Sequence, residues 1–208
     1  EQITYGELAT EAARLAGALA TGAQTRRVGI LGTRSIEAYV GVLGAGWAGS
    51  AYVPLNLKWP TERLIALFKE LRLDALVADE AGARLLSPEV LEAAPDLVVV
   101  PDKSEVPTGR AGQRVLHRSR LDSPPLAEPA PLAADATAYI IFTSGTTGLP
   151  KGVMISAGSL AHYLDQSVPW TNYVPEDRIG EACDLTFDLS VHNLFLCLRA
   201  GASLHVLS

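Results

Sequence analysis

Residues 138–156 read AYIIFTSGTTGLPKGVMIS, and the fold turns on whether the glycine-rich centre opens a helix or joins two strands. A Walker-type phosphate loop has the spacing GxxxxGK[ST] and runs straight into a helix. Here Gly145 and Gly148 are three apart, Lys151 follows a proline, and the run GVMIS behind it favours a strand. The stretch is therefore predicted to be strand–loop–strand, with AYIIFTS and GVMIS as the strands. Its centre still has the composition of an anion cradle. Gly145, Gly148 and Gly152 let backbone N–H groups converge, Thr143, Ser144, Thr146 and Thr147 add hydroxyl donors, and Lys151 adds a point charge. Each charge-assisted bond to an anion is worth about 1.5–3 kcal/mol. A hydroxyl-rich hairpin turn would need neither the lysine nor so many glycines, so the stretch points to a polyphosphate.

Outward from this centre, short apolar strands alternate with helical patterns. Thr4 and Glu7 form a capping-box pair ahead of Leu8, Ala12, Leu15, Ala16 and Leu19, which recur at helical spacing. RVGILG (27–32) reads as a strand, 35–47 as a helix and AYVPL (51–55) as a strand. Thr61 is expected to cap the helix ERLIALFKELR, followed by strands DALVAD (74–79) and DLVVV (96–100) around a helical stretch at 80–93. The expected fold class is α/β: layered, mostly parallel sheets flanked by helices. Residues 101–136 hold six of the 13 prolines and read as a connector with one strand at RVLH. The domain organisation expected is thus 1–100, a first α/β unit; 101–136, the connector; and 137–208, a second unit. In the second unit a helix is predicted at 157–167 and another at 189–199, with a strand RIGEAC before DLTFD.

Composition excludes several function classes. The 208 residues are 48% hydrophobic and 19% charged, with mean hydropathy +0.19, net charge −6 and pI about 5.2. That is a globular composition, with no basic stripe for nucleic acid or an anionic membrane. Arg110, Arg114, Arg118 and Arg120 fall in the polar connector and read as a solvated loop. No signal peptide and no bilayer-length apolar run is present, and Cys183 and Cys197 lack metal or redox spacing. Both are expected to be reduced core residues of a cytoplasmic protein. The chain begins without methionine and stops just after an apolar segment, as a piece of something longer would.

One glycine pattern misleads. GAGWAG (44–49) matches GxGxxG with Glu70 beyond it, but dinucleotide binding needs those glycines between a strand and a new helix. Here they close a helix already running, so close helix packing and a C-terminal turn are expected instead. A second pattern is a spacing coincidence: Asp184, Asp188 and His192 fall at i, i+4 and i+8, but LTF between the acids argues against one continuous helix, and no metal site is expected.

YIIFTSGTTGLPKGVMIS resembles the signature loop of the adenylate-forming enzymes, which include acyl-CoA synthetases, luciferases and the adenylation domains of nonribosomal peptide synthetases. ITYGELATEAARLAGAL and GAGWAGSAYVPLNLKWPTERL resemble the first and second core motifs of those adenylation domains, and LTFDLSVHNLF resembles their FDxS motif. Asn56 and Trp59 depart from the aspartate and tyrosine usual in multimodular synthetases, which makes the chain more similar to free-standing amino acid:carrier-protein ligases. The resemblance implies the N-terminal part of an adenylation domain, with ATP and Mg2+ as cofactors. An amino acid carboxylate would attack ATP to give aminoacyl-AMP and pyrophosphate. The aminoacyl group would then pass to the phosphopantetheine thiol of a carrier protein.

The same resemblance assigns residues. Thr143, Ser144, Gly145, Thr146, Thr147, Gly148 and Lys151 would grip the ATP phosphates. Asp188 would hold the substrate's α-amino group, and Leu189 and His192 would line the side-chain pocket. From the residues alone Asp188 could also be an N-cap for LSVHNLF, the motif match favouring the substrate role, and His192 could equally contact a polar substrate or simply fill space. The family's adenine loop, ribose-binding aspartate and adenylation lysine lie further along the chain than residue 208. The 208-residue piece is therefore expected to be inactive alone, with no catalytic residue of its own. Two other readings stand beside this one: an acyl-CoA synthetase for a carboxylic acid without an amino group, and a non-catalytic scaffold.

Overall fold

The computed structural model describes residues 1–20, 27–121, 123–143 and 151–207. They divide into two compact units, Glu1–Pro131 and Leu132–Ser208. The first begins with helix α1 (Tyr5–Ala20), whose capping box is closed. The Glu7 carboxylate accepts from Thr4 N at 2.8 Å and from the Thr4 hydroxyl at 2.7 Å, while Glu7 N donates to Thr4 Oγ1 at 3.3 Å. Strand β1 (Arg27–Leu31), helix α2 (Ile36–Trp47), β2 (Ala51–Leu55), α3 (Thr61–Leu71) and β3 (Ala75–Ala78) follow. Two short helices, α4 (Glu80–Ala83) and α5 (Pro88–Ala93), lead to β4 (Leu97–Val100) and β5 (Arg114–His117).

These strands run parallel in the order β5-β4-β3-β1-β2. Every residue of β2, β3 and β4 is buried. That explains their unbroken apolar sequence, since a parallel sheet is covered on both faces. Gly44 lies where α1 and α2 meet: a Cβ there would stand 2.7 Å from Leu15 Cδ2. Gly49 ends the turn after α2 at φ 71, a conformation that glycine adopts without strain. The GxGxxG match is therefore a helix-packing seam and a turn, as the position of its glycines implied.

Three local expectations change. Helix α3 starts at Thr61 with Pro60 in the cap position and no side-chain cap bond, so Thr61 is inside the helix rather than its cap. The connector is more ordered than its prolines suggest: β5 pairs along β4 from Leu97–Arg114 to Val100–His117. Its arginines are not a solvated loop either. Arg118 bridges Glu11 at 3.3 Å and Glu37 at 3.5 Å, and Arg110 pairs with Asp96.

The second unit opens with an antiparallel pair, β6 (Thr137–Thr143) and β7 (Lys151–Ser156), in register from Tyr139–Ile155 to Thr143–Lys151. Strand–loop–strand is thus the architecture of the opening stretch. Helix α6 (Ala157–Thr171) is capped by Ser156, whose Oγ accepts from Ser159 N at 3.1 Å. It runs past Pro169, beyond the predicted end at 167, and stops where Asn172 turns left-handed at φ 50. A proline near the last turn forfeits one hydrogen bond, a tolerable cost where the helix is about to end. Strand β8 (Arg178–Glu181), helix α7 (Asp188–Ala200) and strand β9 (Ser203–Val206) complete a β-α-β unit with β8 and β9 parallel. Ile179, Cys197 and Ala202 form its buried core. Cys197 is buried as expected, whereas Cys183 is only partly so.

Candidate functional site

In the second unit two places carry the predicted chemistry. The first is the open end of the β6–β7 hairpin, where Thr143 and Lys151 face each other across the last paired position and both are exposed. Among the described residues Lys151 has no ion-pair partner. Ser144, Gly145, Thr146, Thr147 and Gly148 lie outside the described residues.

The second place is the start of α7. The chain leaves β8 at Glu181, which is fully buried, and its carboxylate accepts from Cys183 N at 2.7 Å and Asn193 Nδ2 at 3.4 Å. This ties the β8–α7 turn back to the helix. Asp184 then accepts from Thr186 N and Thr186 Oγ1, both at 3.1 Å, closing an Asx turn outside the helix. Phe187 holds the cap position without a side-chain bond, and Asp188 is the first helical residue. The N-cap reading of Asp188 therefore falls away. Its carboxylate is exposed and, among the described residues, has no hydrogen-bond partner, while the positive end of the α7 dipole favours negative charge there. Leu189 beside it is also exposed.

One turn further along α7, His192 lies at i+4 from Asp188 and hence on the same helix face. Its Nδ1 is 2.7 Å from the Tyr163 hydroxyl of α6, and its ring lies 6.1 Å from that of Tyr163 and 6.3 Å from that of Trp170. An Arg199–Asp165 ion pair at 2.6 Å joins the same two helices, α6 and α7. Tyr139 of β6 joins the group: its phenol is pushed above its ordinary value by burial first, then by the nearby Asp188 carboxylate and by Tyr163. The structure thus gathers Asp188, His192, Tyr139, Tyr163 and Trp170, of which only the first two were foreseen. The other three come from distant positions, and no local spacing signals them.

A crevice of about 600 Å³ in the first unit lies elsewhere, where the sheet order reverses between β1 and β3. Open α/β sheets often bind ligands at such a place. Here the charged groups are largely spent on one another. Buried Asp79 accepts from Thr33 N at 2.7 Å, Thr33 Oγ1 at 2.7 Å, Ser35 Oγ at 2.9 Å and Gly82 N at 2.8 Å, and Arg118 is held by Glu37. Among the described residues no group of three or more His, Cys, Asp or Glu gathers to hold a metal. No helix among them is long and apolar enough to cross a membrane.

A model of the family described as AMP-binding enzyme matches residues 1–208. Malpinin synthetase of Mortierella alpina is 36% identical over all of this chain, which spans 2% of that protein. The crystal structure of IdnL7 is 34% identical with a TM-score of 0.85, and that of the Vibrio cholerae adenylation domain AlmE, in complex with glycyl-adenosine-5'-phosphate, is 28% identical with a TM-score of 0.82. Both cover all of this chain, and the chain spans 40% of each.

Proposed function

From the premise that this chain belongs to the AMP-binding enzyme family, the adenylate-forming ligases, we propose that the complete protein activates an amino acid as aminoacyl-AMP and passes it to a carrier protein's phosphopantetheine thiol. The carrying observation is Asp188: an exposed carboxylate, without a hydrogen-bond partner among the described residues, at the first position of α7, following β8 in the chain and within the FDxS-like segment. Such a group is placed to pair with an ammonium. At about 4 Å the attraction is about 1 kcal/mol in water and rises as water is excluded. That AlmE is held with an aminoacyl adenylate supports the same chemistry.

In the proposed first step the substrate carboxylate oxygen bonds to the α-phosphorus of ATP, and the bond to the β-phosphate oxygen breaks. Pyrophosphate departs with that electron pair. Lys151 and Thr143, with the hydroxyls and amides of 144–148 between them, orient the leaving group, which is positioning plus electrostatic stabilisation. Mg2+ would neutralise the charge of the ATP phosphates. In the second step the carrier thiol attacks the aminoacyl carbonyl and AMP leaves. The 208-residue chain alone is not competent on this reading, because it spans only 40% of the adenylation domain AlmE.

The test is ATP–pyrophosphate exchange by the complete protein across α-, β- and D-amino acids and their des-amino analogues. Exchange driven by one or a few amino acids, with the matching des-amino acid at least about tenfold poorer, is the expected result. Exchange driven by des-amino acids would favour an acyl-CoA synthetase. No ATP binding at all would favour a scaffold.

A further inference from the structure

Resting on the amino-acid-activating reading, we propose that Tyr163 is a positioning residue that fixes His192 with Nε2–H as its free donor, so that the site takes an amino acid whose side chain offers a hydrogen-bond acceptor. The Tyr163 hydroxyl and His192 Nδ1 are 2.7 Å apart, a short contact with one proton between them. A phenol is a stronger acid than a neutral imidazole N–H, and an imidazole nitrogen is a stronger base than a phenol oxygen. The proton therefore comes from tyrosine, and Nδ1 accepts it. The partner of one ring nitrogen decides the state of the other, so Nε2 carries hydrogen. If the ring is instead protonated, Nε2 still donates.

Among the described residues Nε2 has no partner, and the rings of Tyr163 and Trp170 stand 6.1 and 6.3 Å from the imidazole. His192 stands one turn from Asp188 on the same face. An amino acid held at Asp188 by its ammonium would thus have its side chain within the reach of a fixed N–H donor. A carbonyl, carboxylate or hydroxyl satisfies that donor; an aliphatic side chain of equal size leaves it unpaired, which is how a polar site rejects an apolar isostere.

The experiment measures ATP–pyrophosphate exchange by the complete protein with asparagine, aspartate, glutamine, serine and threonine against the isosteric leucine (for both asparagine and aspartate), homoleucine, 2-aminobutyrate and valine. It is run on wild type, Tyr163→Phe, His192→Gln and the double variant. The acceptor-bearing member of a pair is expected to lead its isostere in kcat/KM by about tenfold or more. Tyr163→Phe, which keeps the ring and its packing, is expected to shrink that ratio about tenfold through KM rather than kcat. Glutamine at 192 carries its own amide donor, so in that background the ratio should no longer respond to Tyr163→Phe. An aliphatic substrate leading its isostere, or a ratio indifferent to Tyr163→Phe in the wild-type background, overturns the inference while leaving amino acid activation standing. Exchange with no amino acid at all overturns both.

Discussion

Asp79 and Asp188 are both aspartates at a strand-to-helix turn, and their surroundings give them opposite work. Asp79 is buried and its two oxygens accept four hydrogen bonds, from Thr33 N, Thr33 Oγ1, Ser35 Oγ and Gly82 N. Asp79→Ala should cost about 3 kcal/mol in urea unfolding, because buried donors lose a charged acceptor. Asp188 is exposed and bonds none of the described residues, so its replacement should barely move stability. Its charge can be read through Tyr139. A phenol held above its ordinary 10.0 stabilises the fold in its neutral form. That contribution is complete below the ordinary value and lost as pH rises through the raised one. Asp188→Asn removes one of the raising causes but not burial, so the Tyr139 titration, isolated by difference against Tyr139→Phe, should shift down and remain above the ordinary value. An unchanged titration would separate the two side chains. Asn56 and Trp59, the two departures from the multimodular pattern, build a local turn. Asn56 Oδ1 accepts from Lys58 N at 2.8 Å, and Arg63 stacks over Trp59 at 4.8 Å.

Among elements, α2 offers a paired test of the glycine motif. Gly44→Ala forces a Cβ within 2.7 Å of Leu15 and should destabilise by about 1–3 kcal/mol. Gly46→Ala meets nothing within 4 Å and should stabilise by up to about 1 kcal/mol through helix propensity. Thermal unfolding of both variants checks the pair; equal effects would remove the packing account. The strands and most helices were legible because each announces itself locally, by an apolar run or by a capping pair such as Thr4 and Glu7. Helix α6 outran its prediction because Pro169 lies in its last turn, where the missing N–H costs little. The site was legible only in part. Asp188, Leu189 and His192 stand in one segment that resembles a motif, whereas Tyr163 and Trp170 join them where α6 meets α7, and Tyr139 of β6 comes near enough to feel the Asp188 charge. Glu181 escaped notice because a glutamate in a short strand gives no sign that it will be buried.

At the scale of the chain, the first unit has a covered sheet and the second leaves large apolar side chains exposed, among them Met154, Trp170 and Phe187. Glu1–Pro131 expressed alone should therefore unfold cooperatively, while Leu132–Ser208 alone should bind a hydrophobic dye. A non-cooperative first unit would contradict the division. The account's central claim is that a carboxylate at position 188 anchors the ammonium of the acid being activated. Amino-acid-dependent ATP–pyrophosphate exchange by the complete protein, wild type against Asp188→Asn, measures it most directly. The predicted result is a loss of about a hundredfold or more in kcat/KM with the unfolding midpoint retained. Exchange within threefold of wild type would contradict the claim.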